Sequence, residues 1–149
     1  MKPENPDLKH FEAIPWCAAH LNESGILPSL TSSSLVINHV KFLISLGPAA
    51  GGYPGVCHGG IVATILDEVT SMLFPINKSH GAISEGAAMM GYLNTRFLRP
   101  VKVPASYLCR AWVNKVEGRK YFLQGMIEDG DGMIVARAEA LYIVLKEMS

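Results

Sequence analysis

Two hydrophobic rhythms divide this chain. In YPGVCHGGIVATILDEVTSMLF (53–74) apolar residues recur at helical spacing, which predicts a long apolar helix beginning just after His58. After Pro75 the repeat changes to two. MMGYLNTRFLRP (89–100) predicts a strand stopped by Pro100. ASYLCRAWVNKV (105–116) alternates, with Leu108 and Trp112 on the face opposite Cys109, Ala111 and Val113. RKYFLQGMIED (119–129) and MIVARAEALYIVL (133–145) follow, and the tight-turn stretches EG and GDG join these three segments into an antiparallel meander. Ahead of the helix, LVINHVKFLISLG (35–47) predicts a first strand, and the Gly/Pro-rich GPAAGGYPG (47–55) leads from it into the helix. Residues 1–34 predict a lead-in, with a short helix in FEAIPWCAAHL (11–21) and a Ser-rich loop over 22–34. A five- to six-stranded antiparallel sheet has one face to bury, and the long helix is the element large enough to cover it. The expected fold is therefore α+β, a single domain over 35–149 with its sheet wrapped around one central helix.

That helix carries more than a core stripe. With Gly60 at 0°, Asp67, Ser71 and Thr64 fall at about −20°, 20° and 40°, and Glu68 at about 80°. The rest of the circle is Ile, Val and Leu. A solvated face normally carries Lys, Glu or Gln; this line of Gly, Thr, Asp and Ser permits close approach of another surface. At the helix start, His58-Gly59-Gly60 leaves backbone N–H groups uncovered by bulky side chains, a ready site for an anion or a developing oxyanion. Gly59 and Asp67 are eight residues apart, about 12 Å along a helix. One reacting carbon cannot touch both groups of one chain. If both act together, two antiparallel helices must supply them, which predicts a homodimer with two sites at its interface.

Composition narrows the class. Of 149 residues 49% are hydrophobic, and 13 basic residues balance 13 acidic ones, so no basic excess marks a nucleic-acid binder. Cys17, Cys57 and Cys109 form no CxxC pair, the histidines lack metal-ligand spacing, and EDGDG (128–132) is too short for a calcium loop. No metal or cofactor is expected. No apolar run approaches a membrane span, and no leader is evident at MKPENPDLKH, so the expected compartment is the cytoplasm.

HGG with an Asp nine residues after the His, LNTRFLRP (93–100) and KVEGRKYF (115–122) resemble the hotdog-fold thioesterases. The resemblance is to the phenylacetic-acid-type acyl-CoA branch that includes the mammalian THEM-type enzymes, with a fungal cast in the Asp-Glu pair, and runs from about Gly52 to Leu145. It implies an enzyme that hydrolyses acyl-CoA as a homodimer or as a dimer of dimers, a homotetramer. Gly59 N–H would hold the thioester oxygen, with His58 shaping the turn and Gly60 beside it. Asp67 would be nucleophile or general base, Ser71 the hydroxyl that orients it, and Glu68 a second candidate carboxylate. Arg119 and Lys120 would contact the pantetheine and phosphates. The chain departs from the pattern at Met90, where many relatives carry Thr, and at Gly52, where bacterial members often have Asn. Three rivals stand beside this reading: a carrier-protein thioesterase, an acyl-CoA-binding protein without turnover, and a dehydratase, whose HFP-like loop is absent here.

Overall fold

The computed structural model describes residues 37–79, 81, 83 and 86–146. The lead-in over 1–34, with His10, Cys17 and His20, lies outside the described residues, as does His80. Alternating segments become β1 (His39–Leu46), β4 (Ala88–Phe97), β5 (Ala105–Glu117), β6 (Lys120–Glu128) and β7 (Ile134–Val144). They pair antiparallel in the order β1-β5-β6-β7-β4, with α1 (Gly59–Ser71) against one face, which is the expected hotdog arrangement. In β5, Tyr107, Cys109 and Ala111 are buried while Leu108, Arg110 and Trp112 are partly exposed, so the alternation points as predicted. The β6–β7 turn is tied by the Asp129 carboxylate, which accepts from the N–H groups of Asp131 and Met133 at 3.0 and 2.9 Å.

Two features differ from expectation. The Gly/Pro stretch before the helix contains a small ribbon, β2 (Gly51–Tyr53) with β3 (Val56–Cys57), too short to show a period. Pro75 does not end the helical region. After Met72, α2 (Leu73–Ser79) continues, and Pro75 sits in its first turn, where helix N–H groups have no intrahelical acceptor to lose. The 21 residues Gly59–Ser79, α1 and α2 with Met72 between them, are by length and composition alone apolar enough to span a membrane, contrary to expectation. Here their apolar side lies against the sheet.

Val62, Ile65, Leu66 and Val69 of α1 bury against Phe42, Cys109, Leu123, Ile127 and the alanines of β7. Close approach is permitted by Gly125 of β6: a Cβ there would lie 3.1 Å from Thr70 Cγ2 and 3.4 Å from Leu66 Cδ2. At the far end, fully buried Asn77 uses its side-chain amide as a substitute peptide. Its Oδ1 accepts from Ile37 N–H at 3.0 Å, and its Nδ2 donates to the carbonyls of Ile37 and Leu73, both at 2.7 Å.

His39 opens β1 edge-on to Trp112, with ring centroids 6.0 Å apart, and its Nε2 is buried without a hydrogen-bond partner among the described residues. Burial first, then the positive charges of Lys41 and Arg110, hold its pKa below the ordinary imidazole value. The unfolded chain takes up this proton near pH ~6.5, so below that pH it binds more protons than the folded state. The stability contributed by neutral His39 is complete above pH ~6.5 and is lost as pH falls through the lower folded value. Thermal melts from pH ~7.5 to ~5 are expected to show a falling Tm, with a shallower fall in His39→Gln.

Candidate active site

Helix α1 begins with four donors to satisfy, and the sequence satisfies all but one. His58 is extended (φ −61°, ψ 133°), and its ring Nδ1 accepts from Gly60 N–H at 2.9 Å, capping the helix as Ser or Asp usually does. Gly60 makes room for that ring, since a Cβ would lie 3.0 Å from Nδ1. The His58 carbonyl accepts from Ile61 and Val62 at 3.0 and 3.2 Å, and His58 N–H goes to Ala50. Among the described residues no acceptor is given to Gly59 N–H. The sequence pointed to several open N–H groups at HGG; the structure leaves one, on exposed Gly59, with the Phe97 ring 3.6 Å from where a Cβ would stand. A cleft of about 330 Å³ opens beside it, walled by Val56, Val62, Phe97 and Leu98.

Two turns further, Asp67 is half-buried, and its Oδ1 accepts from the Tyr142 phenol at 3.0 Å. The phenol oxygen is also 3.2 Å from the Asp67 carbonyl and 3.0 Å from Thr70 Oγ1. Burial pushes the Tyr142 phenol above its usual range; the Thr70 hydrogen bond opposes this, and the charges of Asp67 and Glu68 add to it. Tyr142 therefore stays protonated, and a donor, at neutral pH. Sequence reading missed it. The available signal was a tyrosine on the inner face of a strand where the other buried positions are Ala and Val, since a buried hydroxyl needs a partner.

The other sequence candidates are placed as follows. Ser71 Oγ donates to its own helix, to the Glu68 carbonyl at 2.9 Å, and Thr64 Oγ1 likewise to Gly60 at 2.8 Å. Glu68 is half-buried one residue beyond Asp67, on the flank of the line. Met90 lies opposite Tyr142 in the β4–β7 register, at the bulge made by Gly91. Arg119 and Lys120 sit at the β5–β6 hairpin, where Lys120 pairs with Ile143; Phe97, beside Gly59, pairs with Ala136. The seven-residue step from Ala136 to Ile143 puts these two cations about 23 Å along the strand from the open N–H of their own chain. Cys57 and Cys109 are buried free thiols, pushed up by burial, Cys109 to about 12. Neither is poised as a nucleophile. Among the described residues no cluster of three His, Cys, Asp or Glu could hold a metal.

Among the described residues one side of the chain is exposed. Gly59, Gly60 and Thr64 are exposed along the helix, and the edge strand β4 exposes Met89, Met90 and Tyr92, with Phe97 and Leu98 at its end. Apolar residues of this size at a sheet edge mark a surface suited to a partner.

Residues 54–136 match the family model of the Thioesterase superfamily. The chain is 36% identical over 95 residues to mouse acyl-coenzyme A thioesterase THEM4, which is 63% of this chain and 38% of that one. It therefore spans well under half the length of that relative. It is also 25% identical over 160 residues to verlamelin biosynthesis protein B of a Lecanicillium species, covering 92% of this chain and 69% of that one. Among solved structures, acetyl-CoA-bound smu.793 of Streptococcus mutans UA159 matches with a TM-score of 0.64 over 75% of this chain and 85% of that one, at 15% identity, a likeness of fold.

Proposed function

The chain belongs to the thioesterase superfamily, and from that premise we propose that it hydrolyses acyl-CoA thioesters to a free acid and a thiol. The observation that carries the proposal is one open helix-start N–H, at exposed Gly59, with a half-buried carboxylate held by the Tyr142 phenol, Asp67, two turns along the same helix. The thioester oxygen sits on Gly59 N–H, where the charge of the tetrahedral intermediate develops. Asp67 takes a proton from water as the water oxygen attacks the carbonyl carbon. The C–S bond breaks, and the proton passes to the departing thiolate. A thioester is reactive enough for this without a Ser-His-Asp triad.

Because α1 is continuous from Gly59 to Asp67, these two groups of one chain stand about 12 Å apart. The reading therefore includes a homodimer in which Gly59 of one protomer faces Asp67 of the other. The exposed helix line and the apolar edge of β4 supply the contact surface, and the cleft beside Gly59 gives the substrate its apolar seat.

Thiol release from short, medium, long and aromatic acyl-CoAs tests the proposal. Turnover of at least one class above the buffer rate is the expected result, and its chain-length profile reports the shape of the seat. If no CoA ester is cleaved, while acyl chains on a carrier protein are, the donor assignment is replaced. Tight binding without turnover of either would make the protein a binder.

A further inference from the structure

We infer that Tyr142 is a positioning residue for this reaction: from β7 it holds the Asp67 carboxylate in one orientation, a task the helix's own hydroxyl at Ser71 does not perform. The inference rests on the reading of Asp67 as the reacting carboxylate.

Proton accounting supports it. A phenol has one proton to give and two lone pairs. Three oxygens surround it: Asp67 Oδ1 at 3.0 Å, the Asp67 carbonyl at 3.2 Å and Thr70 Oγ1 at 3.0 Å. An ionised carboxylate is the strongest acceptor of the three, so the proton lies toward Oδ1. Thr70 can then give its proton to the phenol oxygen, making a chain from Thr70 through Tyr142 to Asp67, or to the Leu66 carbonyl at 2.8 Å. Among the described residues, Tyr142 makes the hydrogen bond that reaches this carboxylate. Ser71 is committed to Glu68, and Met90, across the strand pair from Tyr142, brings a thioether without a donor.

The donor is itself held still. Tyr142 is 3% exposed, and its ring packs against Phe74 with centroids 4.9 Å apart. Thr70 is fully buried, with its methyl against the bare backbone of Gly125. A carboxylate on a partly exposed helix face is otherwise free to turn about two side-chain torsions. Fixing Oδ1 fixes Oδ2, the oxygen that would meet water, and reaction rates are steeply sensitive to such placement.

The test compares kcat, KM and Tm for Tyr142→Phe in the native chain and in Asp67→Asn. The expected result is a fall of about tenfold in kcat with KM within about twofold, and no further fall when the change is added to Asp67→Asn, since groups that act as a unit are not additive. A merely structural hydroxyl would lower activity by the same factor in both backgrounds, and that outcome overturns the inference. So does a native kcat in Tyr142→Phe. Full activity in Asp67→Asn alone overturns the reading beneath it, which keeps the two failures apart. If Tyr142→Phe does not fold, Thr70→Val carries the test, with Thr70→Ser as its rescue: a loss of about threefold confined to chains with native Asp67 supports the inference, and an equal loss in both backgrounds overturns it.

Discussion

Asp67→Asn is expected to lower kcat on the best acyl-CoA by about a hundredfold or more, the scale of losing a general base. KM, Tm and hydrodynamic size should stay near native. Asparagine keeps the volume and an Oδ1 that still accepts from the Tyr142 phenol, so the helix line and the β7 contact survive while the proton acceptor is lost. This separates chemistry from architecture more cleanly than alanine, which would take away the phenol's carboxylate acceptor along with the proton acceptor. Glu68→Gln is the internal control, because Glu68 shares the charge but not the contact with Tyr142. A collapse in Glu68→Gln with native activity in Asp67→Asn would exchange the two roles.

Leu66→Ala is expected to cost about 2–5 kcal/mol, toward the upper end of that range. Against a typical total of about 5–15 kcal/mol this is enough to leave a domain marginal. Leu66 is 0% exposed and lies over Gly125, which has no side chain to relax into the space. The flat backbone that lets the helix approach therefore also prevents the cavity from closing. Urea unfolding should show a lower midpoint with an unchanged slope. Thr64→Ala, on the exposed line of the same helix, should shift stability by no more than about 0.5 kcal/mol from this packing standpoint.

How much of this was legible follows from what each feature depends on. The five sheet strands were readable because their inward and outward positions alternate within one segment, as in β5, where Cys109 and Ala111 turn inward and Trp112 outward. Gly59 and Asp67 were readable because small and polar residues on an apolar helix stand out locally. Features set by how a side chain folds back or by two distant segments were not. Whether Gly60 N–H is open depends on the His58 ring folding back over it. Tyr142 reaches Asp67 only once β7 lies beneath α1, 75 residues away in sequence. Pro75 looked like a stop because its sequence does not show that a new helix has begun two residues earlier, at Leu73.

The side-chain amide of Asn77 has a mechanical meaning. It grips both backbone groups of Ile37, two residues ahead of the first β1–β5 pair, His39 with Trp112. Tension arriving from the segment before Ile37 loads this grip at the far end of the helical stretch before it loads any rung of the sheet. Among the described residues the amide thus stands ahead of the β1–β5 rungs, much as a strain relief spares the solder joint behind it.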